Sequence, residues 1–91
     1  MTELSRDLRI VNEKGLHARA SARFVETVEQ FDARAMVEKD GERVSGDSIM
    51  GLLMLVAPRG STIRVTTSGA DAEALMQALV ELVDGYFGEG R

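Results

Sequence analysis

Cysteine and tryptophan are both absent from these 91 residues, and proline, histidine and tyrosine occur once each. Without cysteine there is no disulfide framework and no Cys-based zinc site, which fits a reducing cytosol. A lone histidine excludes multi-His metal sites, so no metal is expected. With only three Phe beside the one Tyr, the core must be aliphatic. The longest run of apolar residues and Gly, Ile49–Ala57, is about half of what a membrane-spanning helix needs. No basic segment followed by an apolar stretch opens the chain, so the expectation is a cytoplasmic protein without an export signal. Positive charge is also scarce: 11 Lys and Arg against 15 Asp and Glu give a net charge of −4. That balance, with 4% aromatics, disfavours nucleic acid, which asks for basic patches and stacking rings. What remains is 44% apolar and 29% charged, a globular composition. The length suits one domain, spanning 1–91 and ordered from about residue 4 to 87.

The pattern changes period several times along the chain. Leu4–Val11 alternates in part, with Leu8 and Ile10 on one face, and predicts a strand. Asn12-Glu13-Lys14-Gly15 breaks it. From Ala18 to about Gln30 apolar residues recur at helical steps, with Ala22, Val25 and Val28 beside Phe24 and Phe31. Arg34–Lys39 alternates again, Asp40-Gly41 is a tight-hairpin signal, and Glu42–Ser45 is the returning strand. Ile49–Leu55 fits a short helix or a buried strand. The capping residues Asp47 and Ser48 before it and the Pro58-Arg59-Gly60 turn after it favour the helix. Ser61–Thr67 is a half-buried strand with Ile63 and Val65 inward. Ser68-Gly69-Ala70-Asp71 reads as a capping box opening a long helix, whose stripe is Leu75, Ala78, Leu79, Leu82, Val83 and Tyr86. The tail Gly85–Arg91 looks loose. Four strands with helices on one face predict a two-layer α+β sandwich.

Two segments carry chemistry. His17 is the only side chain whose ordinary pKa lies near neutrality, and it stands at a predicted helix start in Gly15-Leu16-His17-Ala18-Arg19. Unpaired N–H groups there stabilise an anion, and the same positive end favours a neutral, nucleophilic ring. Arg19 adds a planar fork suited to phosphate oxygens. Together they describe a site of transient phosphorylation on nitrogen; the bland alternative is an exposed loop histidine and a solvated arginine. In Ser45-Gly46-Asp47-Ser48-Ile49-Met50-Gly51, Ser48 caps a helix whose Ile49, Met50 and Leu53 do not all fit one inward stripe. Surplus exposed apolar residues suggest a docking patch, for which adaptable Met is well suited. The alternative is a cap serine before a core helix. Glu26 and Glu29 form a solvated acidic face. No carboxylate pair, Gly-rich phosphate loop or nucleophile–base–acid trio marks an enzyme's turnover site.

Both segments, at this spacing, resemble those of the HPr family, the histidine-containing phosphocarriers of the bacterial phosphotransferase system. The Asp40-Gly41 hairpin, the Pro58-Arg59-Gly60 turn and the terminal helix fall in register, so the resemblance runs from about Leu4 to Phe87. It implies an HPr-like open-faced β-sandwich, a four-stranded antiparallel sheet covered by three helices. It implies a carrier with no cofactor and no independent turnover. His17 would accept a phosphoryl group on Nδ1 from phosphorylated, phosphoenolpyruvate-dependent enzyme I and pass it to an EIIA-type acceptor. Arg19 and the backbone amides of Ala18, Arg19 and Ala20 would hold the phosphate. Ser48 would be the regulatory position for HPr kinase/phosphorylase. Ala22, Ile49, Met50 and Leu53 would form the docking face.

Two departures qualify the resemblance. Ala20 stands where many members have Pro, which pre-sets the first helical turn. Glu26 and Glu29 stand where sugar-pathway members carry Lys, and rim charge steers encounter. The acidic helix leans towards the nitrogen-related regulatory branch. A reading from another class is a binding-only module acting through the Ser48, Ile49 and Met50 face; intact His17 and Arg19 count against it. A ferredoxin-like nucleic-acid module matches the strand–helix order but fails on charge and aromatics.

Overall fold

A computed structural model describes residues 3–91. Along the chain run β1 (Glu3–Arg9), α1 (Ala18–Glu29), β2 (Arg34–Lys39), β3 (Glu42–Ser45), α2 (Ile49–Met54), β4 (Thr62–Ser68) and α3 (Ala72–Asp84), then a 3₁₀ turn, Tyr86–Gly88. The strands form one sheet in the order β1-β4-β2-β3, every neighbouring pair antiparallel. This is the open-faced two-layer arrangement expected from the sequence.

Side-chain alternation decides which sheet face meets the helices. Leu8 lies opposite Ile63, Val65 opposite Val37, and Thr67 opposite Ala35, and all six are buried. The intervening positions Asp7, Arg64 and Glu38 face solvent. Onto the apolar face pack Ala20, Phe24, Val25 and Val28 from α1, and Leu75, Met76, Leu79 and Val83 from α3. Leu52, fully buried, joins α2 to this core. Burying each such Leu, Val or Phe stabilises by roughly 1.5–3 kcal/mol before chain entropy is set against it. The one buried polar group on this sheet face, Thr67, is satisfied by donating to the Ala72 carbonyl at 2.8 Å.

The structure departs from expectation near both ends of α3. Ser68 is still paired in the sheet, opposite Glu3 and Arg34, so it does not cap the helix. Asp71 is the N-cap, yet its carboxylate accepts from the Asp32 amide at 2.8 Å rather than from its own helix. The expected capping box is therefore replaced by a clasp between α3 and the end of α1. At the other end Tyr86 leaves the stripe for solvent, and Phe87 takes the buried place. The helix stops at Asp84, and Tyr86 and Phe87 both adopt positive φ, 61° and 53°, which swings one ring out and the other in. Met76, absent from the predicted stripe, is also core. The C-terminal segment thought to be loose is thus anchored by a fully buried aromatic ring.

Candidate functional site

The loop from Asn12 to His17 is shaped by one glycine. Gly15 has φ 68°, and a Cβ there would lie 2.6 Å from the Ala57 carbonyl oxygen and 2.8 Å from Pro58 Cα. Both the left-handed backbone and the close approach require glycine. The loop is laced by hydrogen bonds from Gly15 N to Asn12 O (3.2 Å) and from Leu16 N to Ala57 O (2.9 Å). Leu16 is buried, so the loop is pinned on both sides of the turn.

His17 follows as the N-cap of α1, with extended backbone and no side-chain capping bond. Its carbonyl accepts from Ser21 N at 2.8 Å and starts the helix, which leaves its ring free for other partners. The side chain is 27% exposed, so part of it stays accessible. Nε2 is hydrogen-bonded to the Glu89 carboxylate. Glu89 also accepts from Asn12 Nδ2 at 3.0 Å, and the same Nδ2 donates to Gly15 O at 2.8 Å. Asn12 is completely buried, and its two acceptors, a backbone carbonyl and a carboxylate, fix the direction of its amide. Burial, the largest single influence, would raise the Glu89 carboxyl, and the Asn12 and His17 hydrogen bonds oppose it. With the His17 and Lys14 charges they hold it below the usual glutamate range.

Two hollows flank this network. One, of about 260 Å³, is lined by His17 together with Leu53, Val56, Ala57 and Pro58. The other, of about 340 Å³, is lined by Lys14, Arg19, Arg23 and Arg91, with Glu13 and Glu89 as its acidic members. Lys14 borders both. Arg19 therefore lines a basic cleft beside the histidine. Among the described residues its guanidinium has no ion-pair partner. Ala18 and Arg19 are exposed, whereas Ala20 is buried beneath the first turn, where amides have no intrahelical partner. The turn forms at Ala18 without the family's proline. No group of three or more His, Cys, Asp or Glu side chains able to hold a metal occurs among the described residues. No helix there is long and apolar enough to cross a membrane.

Ser48 caps α2, accepting from Gly51 N at 3.0 Å. This bond explains why the apolar run coils instead of extending. Ile49 and Met50 project outward at 40% and 70% exposure, and Leu53 and Ala22 are partly exposed. The apolar surface is wider than the sequence indicated, since Met54 and Val56 are exposed as well. Val56 sits at φ 50°, a left-handed conformation that costs a β-branched residue about 1–3 kcal/mol. Glu26 and Glu29 are exposed on α1. Asn12 and Glu89 were invisible as site residues: the first looked like a strand breaker, and the second stood in a glycine-flanked tail.

The chain matches a family model described as "PTS HPr component phosphorylation site" over residues 4–84. It is similar to the phosphocarrier protein HPr of Neisseria meningitidis serogroup A, 49% identical over 87 residues that cover 96% of this chain and 98% of that one. The phosphocarrier protein NPr of Shewanella violacea is 39% identical over 89 residues, 98% of each chain. Among solved structures, HPr-C-His from Thermoanaerobacter tengcongensis superposes with a TM-score of 0.87 at 39% identity, covering 98% of both chains. Motif, fold and near-full-length relatives agree: the chain belongs to the HPr family, the phosphocarrier proteins of the phosphotransferase system.

Proposed function

We propose that His17 accepts a phosphoryl group on Nδ1 from phosphorylated enzyme I and passes it to an EIIA-type protein in the cytoplasm. The observation that supports this most is the contact between His17 Nε2 and the Glu89 carboxylate. A carboxylate is an acceptor only, so Nε2 carries the hydrogen and Nδ1 carries the lone pair. In the transfer the Nδ1 lone pair forms the new P–N bond. The donor's P–N bond breaks, and its electron pair returns to the donor nitrogen. Nε2 keeps its hydrogen, and the ring becomes cationic beside a carboxylate that balances it.

Arg19 and the free amides of Ala18, Arg19 and Ala20 hold the phosphoryl oxygens, with Lys14 at the border of the same cleft. Ala22, Ile49, Met50 and Leu53 are the docking face that brings a partner histidine to His17, widened by Met54 and Val56. Ser48, at the edge of that face, is the regulatory position, a substrate for HPr kinase/phosphorylase where that enzyme is present. The exposed acidic pair Glu26 and Glu29 favours the nitrogen-related branch; comparing transfer to EIIA proteins of the two branches decides it.

Incubation with enzyme I and phosphoenolpyruvate should yield a one-phosphate adduct that is acid-labile and base-stable. His17→Ala should abolish it with the fold intact. The same adduct on the His17→Ala protein would overturn the assignment.

A further inference from the structure

We infer that Glu89 is a positioning residue for phosphoryl transfer: held by Asn12 and by the burial of Phe87, its carboxylate fixes the tautomer and orientation of the His17 ring. The inference rests on His17 being the phosphoacceptor, and it adds a residue from the far end of the chain.

The geometry of the tail carries the argument. Phe87 is fully buried, and it can reach the core only because Tyr86 and Phe87 adopt left-handed backbone at φ 61° and 53°. Non-glycine residues rarely do so unless their surroundings over-determine them. Here Gly88 and Gly90 relax the chain on either side, with φ 78° and 84°, and Arg23 packs its guanidinium over Gly88. The turn therefore delivers residue 89 to one place, beside Asn12 and His17. Its side chain there is only 12% exposed.

The hydrogen-bond inventory then leaves one arrangement. Glu89 has two oxygens and no donor; one oxygen accepts from Asn12 Nδ2 and the other engages His17 Nε2. Asn12 cannot reverse its amide without turning a carbonyl towards both Gly15 O and Glu89. Asn12 and His17 consequently both donate into the Glu89 carboxylate, which leaves a hydrogen on Nε2 and a lone pair on Nδ1. An imidazole whose second nitrogen is held in this way cannot tumble or swap its proton to the reacting atom. When Nδ1 takes up the phosphoryl group, the positive charge appearing on the ring lies against the carboxylate.

Glu89→Gln is the decisive variant, because it leaves one oxygen for two donors. Asn12 Nδ2, fixed as a donor by Gly15 O, takes that oxygen, so the amide NH2 faces Nε2 and favours the opposite tautomer, with the hydrogen on Nδ1. Imidazole nitrogen shifts of His17 in the 15N-labelled free protein read the tautomer directly. Single-turnover phosphorylation by enzyme I reads the transfer. We expect a measurable Nδ1–H population in Glu89→Gln and transfer slowed by about tenfold, the lower end for loss of an orienting partner. The concentration of enzyme I needed for half-maximal rate should stay unchanged, because Glu89 is not on the apolar docking face. Glu89→Ala, the variant to use if Gln disturbs folding, should lose the fixed ring orientation with a smaller fall in rate. A fully retained Nε2–H tautomer, a rate within twofold of the original, or a faster transfer would each overturn the inference. Persistence of the adduct in His17→Ala would instead overturn the phosphoacceptor assignment, while leaving the tautomer result standing.

Discussion

Asn12 and Glu89 stand 77 residues apart in the chain and are joined by a 3.0 Å hydrogen bond, and the same carboxylate engages Nε2 of the His17 ring. Neither is a reacting group, yet together they connect the loop before α1 with the turn after α3. The His17 ring is thus held by the two ends of the domain, and α1 supplies only its backbone position.

Removing the Arg19 guanidinium should slow transfer without preventing it. Hydrogen bonds to charged groups are worth roughly 1.5–3 kcal/mol, so Arg19→Ala should cost about tenfold to a hundredfold in the phosphorylation rate. Arg19→Lys should recover part of this, since a point charge cannot reproduce the planar fork. A wild-type rate for Arg19→Ala would leave Lys14 and the helix amides as the phosphate's holders.

Charge on the apolar face should weaken docking rather than folding. Ser48→Asp retains a capping oxygen, and Met50, already 70% exposed, contributes little to the core. Both variants should melt within a few degrees of the original, while binding to enzyme I weakens by about tenfold as the new charge loses water on docking. Phosphate on Ser48 should act in the same direction and more strongly, with about two negative charges. Calorimetric titration of the two variants checks this; unaltered affinity in both would show that partners bind elsewhere.

Phe87 should matter for both stability and ring geometry. Truncating a fully buried phenylalanine to alanine costs about 3–5 kcal/mol, so Phe87→Ala should lower the melting temperature markedly. In the fraction that remains folded, the turn loses its anchor, and the His17 imidazole signals should broaden or shift towards those of Glu89→Ala. Undisturbed His17 signals would show that Asn12 alone retains the tail.

The depressed Glu89 carboxyl has a sign that can be checked with acid. A carboxylate whose folded pKa lies below its unfolded one stabilises fully above the unfolded value, about 4.3 for glutamate. That contribution is lost as pH falls through the lower folded value. The melting-temperature gap between the original protein and Glu89→Gln should therefore shrink steadily as pH falls below ~4.3. Parallel curves down to pH ~3 would mean that the Asn12 and His17 bonds do not discriminate the ionised form.

Local pattern determined the elements because each carries its own signature. The period-two alternation of Arg34–Lys39 and Ser61–Thr67, the Asp40-Gly41 turn and the helical stripe from Ala22 to Val28 depend on neighbours within a few residues. The Ser48 cap decided a choice that periodicity left open, again through a contact three residues away. The place of His17 and Arg19 at a helix start was legible for the same reason. What only the tertiary structure decided spans long separations or turns on a backbone sign. Ser68 was taken by two strands before it could cap a helix, and Asp71 was taken by the Asp32 amide. The left-handed turn at Tyr86 and Phe87 exchanged which ring is buried, and carried Glu89 to a histidine 72 residues away. No spacing in the sequence encodes that meeting, because it is set by how the last helix packs on the sheet and where its end then points.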